Sequence, residues 1–228
     1  MSLPNNNLRV SIDGHYLHSF KSLKLVQKIN SHHRFDLCID LEVGGNRHAP
    51  NLKDGAGWLG KSFGVHLGLS GDVFFLGVVT NVSLHRNNDD YGYILVSGYS
   101  TTYLLESGVN FHSWNERTLG YIVTELTEAA KVRAVIHPEH TKPVDYECQY
   151  NESDFTFLLR LPRQYNEWLY YDGTSLVFGR PARPESVPLE FGTSLTSLDI
   201  GVQTLARPSK VFSYLSMNDI TGKRLSWL

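Results

Sequence analysis

Cysteine is nearly missing from this 228-residue sequence, which carries only Cys38 and Cys148. Two residues so far apart build neither a disulfide framework nor a spacing-defined metal site. Both fall in apolar, strand-like patterns, so unpaired buried thiols and a reducing compartment are expected. A surplus of one charge is missing too: 21 basic and 23 acidic residues give a formal charge of −2 without runs of either sign. That balance supplies no electrostatic footprint for nucleic acid or an anionic membrane. No window approaches the roughly twenty apolar residues of a membrane helix. The N-terminal stretch MSLPNNNLRV has no apolar core of signal-peptide length, so synthesis in the cytoplasm is expected. There is no Gly-x-Ser-x-Gly elbow and no Walker loop, and the glycines of Gly57 to Ser62 and of Gly64 to Gly68 lack phosphate-cradling spacing.

The ten histidines do not fill that gap. His32 and His33 are adjacent and are expected on opposite faces of a strand, His15 and His18 flank a turn, and His137 and His140 lack a Cys or carboxylate at ligand spacing. Glu152 and Asp154 invite an acid–base reading, but two residues apart at a helix start they point in different directions and serve as first-turn anions. No catalytic, cofactor-binding or metal-ligating residue is assigned.

What is present is alternation. Leu8, Val10 and Ile12, then Leu23 and Leu25, then Phe35, Leu37, Ile39 and Leu41 alternate with polar neighbours, with turn clusters at Asp13-Gly14 and Gly44-Gly45. Further strands are expected at 62–69, 73–81 and 91–98, linked at Gly71-Asp72 and at Asn87 to Asp90. Six or more short strands favour an antiparallel β-barrel over 1–103, because closure removes edges that would pair with other chains.

The pattern changes near Leu104. Thr118 is a plausible N-cap for a helix carrying Ile122, Val123, Leu126, Ala129 and Ala130, ahead of a strand at 134–136. A strand at 144–150 precedes a second helix, in which Ser153 caps, Asp154 sits in the positive first turn, and Phe155, Leu158, Leu159 and Pro162 form one face. Trp168 to Tyr171 and Leu176 to Phe178 then read as a hairpin around a two-residue Asp172-Gly173 turn. The segment 104–182 is therefore a small α+β insertion. Prolines make Gly179 to Pro188 a linker. In the tail, 183–228, Leu189, Phe191, Leu195, Leu198, Ile200 and Val202 alternate and Lys210 to Tyr214 reads as a strand, so this tail is expected to start, or return to, a barrel.

Two runs resemble the hub domain of VgrG proteins, the spike of the type VI secretion machine, and its relatives in contractile phage baseplates. One contains Tyr150, Glu152, Ser153, Asp154, Phe155, Trp168, Tyr170, Tyr171, Phe178 and Gly179; the other, 93–123, contains Gly98, Tyr99 and Ser100. The stretch 74–84 resembles the strand before it, and together these cover about the middle half of the chain. The resemblance implies a mainly β, baseplate-hub-like fold in which the motif residues are structural. It also implies a homotrimer that adapts a threefold needle to a hexameric tube protein, contacts with baseplate proteins and effectors, and export with the injection machine to the exterior or a target cell. It implies no enzyme activity, no cofactor, no nucleic acid and no stable membrane insertion. Members usually continue into an oligonucleotide-fold neck and a β-helical needle. Ending at Leu228, this sequence is expected to be a fragment, a shortened form or a hub-only relative, and by itself mainly monomeric or a weak dimer. Asn166 stands where many relatives have Gly, and Asn tolerates the same left-handed turn. Readings from other classes are a carbohydrate-binding β module stacking sugars on Trp58, Trp114 or Tyr170, and a hydrolase with dispersed carboxylates.

Overall fold

A computed structural model describes residues 8–40, 55–68, 72–87, 90–181, 186–202, 209–215 and 220–226. The expectations placed on Leu41, the Gly44-Gly45 turn, Gly71, the Asn88-Asp89 link tip and 182–185 of the linker lie outside those residues. The chain divides into two compact units, Met1–Ala182 and Arg183–Leu228.

The first unit opens with β1 (Leu8–Ile12), β2 (His15–Tyr16), β3 (Ser22–Val26), β4 (Arg34–Asp40), β5 (Ser62–Leu67), β6 (Asp72–Asn87) and β7 (Asp90–Ser100). They form one antiparallel sheet in the order β2-β1-β5-β6-β7-β4-β3. Alternation sends Val10, Ile12, Phe35, Leu37, Ile39, Phe63, Val65, Phe75, Val79, Ile94 and Val96 to one face, where they make a single apolar cluster. Phe35 on β4 and Phe63 on β5 stack with ring centroids 3.7 Å apart. Two strands separate β4 from β5, so a flat sheet would hold their backbones roughly 14 Å apart. The sheet therefore curls over its own core. Glycine makes room for that curl: a Cβ on Gly98 would sit 2.0 Å from the Val78 carbonyl oxygen and 2.7 Å from the Phe35 ring. Among the described residues no pairing joins β2 to β3, so the closed barrel expected from the sequence is not among the described pairings.

A 3₁₀ turn (Thr101–Glu106) leads to β8 (Asn110–Arg117), α1 (Leu119–Ala129), β9 (Ala134–His137), β10 (Val144–Glu152), α2 (Asp154–Tyr165), β11 (Leu169–Tyr171) and β12 (Leu176–Gly179). Thr118 caps α1, its Oγ1 accepting from the Tyr121 N–H at 3.2 Å. Leu119, Ile122, Val123 and Leu126, spaced three and four apart, are its buried face. Ser153 caps α2 through the Thr156 N–H at 3.1 Å, and Asn166 ends it at φ 57°. β8 and β10 form an antiparallel ribbon; β11, β12 and β9 form a second sheet in which β12 runs parallel to β9. A second apolar cluster fills the space between these pieces, with Trp114, Leu119, Ile122, Val123, Phe157, Leu158, Leu161 and Phe178 among its members.

Three expectations change here. The stretch 110–117, unassigned from the sequence, is a strand. The hairpin turn has four residues, Asp172 to Ser175, because Tyr171 pairs with Leu176 and the Asp172 carboxylate accepts from the Thr174 N–H at 2.7 Å and the Ser175 N–H at 2.8 Å. The alternating run 189–202 forms no strand, only a turn and an isolated bridge between Phe191 and Leu195; apart from half-buried Leu195 its apolar side chains are exposed, Val202 at 96%. Alternation marks a strand only where a partner strand is in register. In the second unit, β13 (Ser209–Leu215) pairs antiparallel with β14 (Ile220–Ser226). No helix among the described residues is long and apolar enough to cross a membrane.

Candidate functional site

Four of the family-motif residues, Tyr99, Ser100, Phe155 and Tyr171, lie where the curled sheet meets the α+β layer. Tyr171 is the pin. Buried against the edge of Phe75 and His33, it belongs to the sheet's cluster, while Leu169, on the same strand, belongs to the other. Its hydroxyl donates to the Leu76 carbonyl at 3.0 Å and accepts from Thr101 Oγ1 at 3.1 Å. Burial pushes that phenol up to about 12. Two residues on, the Gly173 carbonyl accepts the Leu76 N–H at 2.7 Å. Gly173 has φ +112° and a Cβ there would lie 2.4 Å from the Phe74 carbonyl oxygen, so only glycine lets the hairpin tip dock on β6.

The second tie runs through the Gly98-Tyr99-Ser100 motif. Ser100 is fully buried; its Oγ accepts the His33 N–H at 3.1 Å and donates to Thr102 Oγ1 at 2.7 Å. Thr102 in turn meets His32 Nδ1 at 2.9 Å, and His32 Nε2 meets Glu106 Oε1 at 3.2 Å. With Nε2–H donating to the Glu106 carboxylate, Nδ1 accepts from Thr102, and the relay is satisfied from His33 to Glu106. The His32 ring stacks on Phe155 at 3.8 Å, and Tyr99 stacks on Tyr103 at 4.8 Å. Burial lowers the pKa of His32, opposed by Glu106, and burial lowers that of His33. The two histidines precede β4 rather than lying within a strand, and sequence reasoning missed their role: each contacts a residue more than sixty positions away.

The start of α2 separates the two acids. Asp154 Oδ1 accepts from Asn110 Nδ2 and Gln149 Nε2, both at 2.8 Å. Glu152 pairs with Arg160 Nη2 at 3.1 Å, and Arg160 also donates to the Cys148 carbonyl at 2.7 Å and reaches Glu147 at 3.4 Å. Glu147 is buried and takes further hydrogen bonds from Gln164 and Tyr165. Both motif acids are thus committed to holding α2 on the ribbon. Tyr150 projects outward, its ring edge-on to Phe111 at 5.1 Å. Gly179, at φ +126°, ends β12 where a Cβ would lie 2.3 Å from the His137 carbonyl oxygen. Trp168 and Tyr170 face an open cleft beside the hairpin.

The proposed sugar platforms do not gather. Trp114 is 3% exposed, packed on Phe157, and donates from Nε1 to Glu125 at 3.0 Å. Trp58 folds against the sheet's cluster. Among the described residues no three His, Cys, Asp or Glu side chains are grouped to hold a metal ion. Cys38 and Cys148 are half-buried free thiols.

Three solved phage-tail structures share the fold. The 43 kDa tail protein of prophage MuSo2 from Shewanella oneidensis superposes with a TM-score of 0.70 at 17% identity, covering 84% of this chain and 58% of its own. A tail protein from Neisseria meningitidis MC58 gives 0.70 at 15% identity, over 96% of this chain and 67% of its own. Prophage tail protein gp18 from Listeria monocytogenes gives 0.59 at 15%, over 97% and 68%. An Escherichia coli protein described as a component of the type VI secretion system gives 0.53 at 17%, over 74% and 48%. The chain thus spans little more than half of the Shewanella protein's length. No curated protein sequence matches it. Residues 32–184, more than half of the chain and reaching across both cores, match the family described as phage tail baseplate hub (GPD), and the chain belongs to that family.

Proposed function

We propose that this protein is the hub portion of a contractile injection machine, a VgrG-type spike hub in which a homotrimer adapts a threefold needle to a hexameric tube. The family match over 32–184 carries the reading. Supporting it, the ribbon β8–β10 turns Phe111, Tyr146 and Tyr150 to solvent, an aromatic face suited to burial against another tail component. In this reading the curled sheet, 1–103, closes as a barrel, 104–182 is the α+β insertion, and 183–228 contributes strands to a further barrel. The motif residues hold these parts together and perform no chemistry. Synthesis is cytoplasmic and export accompanies the machine, with baseplate proteins and effectors as further partners.

Mixing the purified chain with its hexameric tube protein tests this by light scattering and electron microscopy. A saturable complex with the tube hexamer that is lost when Phe111 and Tyr150 are both changed to Glu is expected. Absence of any complex, together with glycosidase, esterase or phosphatase turnover that disappears in Glu152→Gln, overturns the reading in favour of an enzyme.

A further inference from the structure

Beside the seam, two adjoining clefts share a ridge. The larger, about 420 Å³, is lined by Lys28, Ile29, His33, Trp168, Tyr170 and Asp172, among others. The smaller, about 210 Å³, is lined by Ile29, Leu159, Pro162, Arg163, Glu167 and Trp168. Ile29 and Trp168, common to both, are 57% and 45% exposed. Ile29 lies in the turn between β3 and β4, just before Asn30 at φ 55°, and lines both clefts together with Trp168. Two large apolar side chains from separate elements thus form one exposed ridge with a hollow on either side.

The polar lining is unfinished. Glu167 is 8% exposed; its Oε1 accepts the His140 N–H at 2.7 Å, but its buried Oε2 has no hydrogen-bond partner. His33, in the larger cleft, likewise has an unpartnered Nδ1. Glu167 Oε2 can only accept, and His33 Nδ1 accepts in the tautomer that carries its proton on Nε2, so each is a buried acceptor left unmet. At the rims, Lys28 and Arg163 are exposed, and among the described residues neither is in an ion pair. The other acid of the groove, Asp172, spends one carboxylate oxygen on the amides of its own turn.

We propose that this groove docks an extended segment of a partner protein in which apolar side chains flank an acidic one. The apolar side chains lie on either side of the Trp168–Ile29 ridge, main-chain N–H groups meet Glu167 and His33 after their buried acceptor atoms turn outward, and the acid lies within reach of Lys28 or Arg163. Extended backbone fits because its N–H donors recur every second residue on one side, and His33 and Glu167 line different clefts.

The test uses the full chain and acetylated, amidated hexapeptides with Leu, Val or Phe at alternate positions and Glu, Gln or Lys between them. Binding is followed by the indole N–H resonance of Trp168 and by fluorescence anisotropy. The expected order is Glu over Gln over Lys. Trp168→Ala is expected to weaken the Glu peptides at least tenfold, and the double change Lys28→Glu with Arg163→Glu to reverse the order. All three positions are exposed, and an unchanged far-ultraviolet spectrum checks that each variant folds. No saturable binding by any peptide, a preference for Lys in the wild type, or indifference to Trp168→Ala overturns the proposal. So does concentration-dependent self-association that Trp168→Ala abolishes, because the occupant is then a second copy. None of these outcomes depends on the hub role, which the tube-protein experiment tests separately.

Discussion

The two cores of the first unit are built from different materials. The sheet's core is apolar at its centre, where three phenylalanines, Phe35, Phe63 and Phe75, are in mutual ring contact. The α+β core is apolar inside but is fastened at its margin by buried ionic and amide groups: Glu147 with Arg160, Gln164 and Tyr165, and Asp154 with Asn110 and Gln149. A packed aromatic core is sensitive above all to loss of volume; a networked margin is sensitive to loss of any one hydrogen-bonding partner.

The sharpest way to break the comparison is Phe35→Ala, which removes a fully buried ring from above Gly98 and is expected to cost about 3–5 kcal/mol. Chemical denaturation should show a lower midpoint with unchanged slope. If the midpoint stays put, the curl does not depend on that stack. Glu147→Ala attacks the other core and is expected to cost about 1–3 kcal/mol, because Tyr165 and Gln164 lose an acceptor and Arg160 a counter-ion. Its cost should shrink in the double variant with Tyr165→Phe, as a cycle of denaturant midpoints would reveal. Ser153→Ala removes the cap of α2 and should cost about 1 kcal/mol, read most directly as faster hydrogen exchange in 154–157.

A smaller effect, with a sign of its own, separates the seam from both cores. His32 and His33 hold folded pKa values below the ordinary 6.5, so near that pH the unfolded chain binds more protons than the folded one. Stability is therefore complete above about pH 6.5 and declines as pH falls below it. His32→Gln should flatten the dependence between pH 7 and 5. A slope identical to wild type assigns the titration elsewhere.

Local chemistry was legible in the sequence and distant pairing was not. Thr118 and Ser153 declare helix starts within four residues of themselves, and both helices begin there. Alternation located the sheet strands other than the two-residue β2, though β6 runs to 16 residues, well past the nine expected. The Asp172-Gly173 pair announced a turn, but the carboxylate's capture of two amides, which lengthens it, depends on Thr174 and Ser175. The parallel pairing of β12 with β9 and the stacking of His32 on Phe155 join residues whose spacing carries no periodic signal. At 189–202 the pattern was present but no partner strand pairs with it among the described residues, so alternation alone misled. Of the site, the motif residues were visible one by one; the partners of Tyr171 were not, since its contacts reach back to Leu76 and Thr101.

That last reach sets a timetable on the ribosome. The hydroxyl bonds of Tyr171 span 95 residues to Leu76 and 70 to Thr101. At about 5–20 residues per second, β7 is complete roughly 4–14 s before Tyr171 is even made. Throughout that interval Phe75 and the backbone of Leu76 have no pin, and a half-made sheet is open to a neighbouring nascent chain. Slow codons placed between positions 100 and 171 should therefore lower the soluble yield, whereas the same codons after position 180 should not.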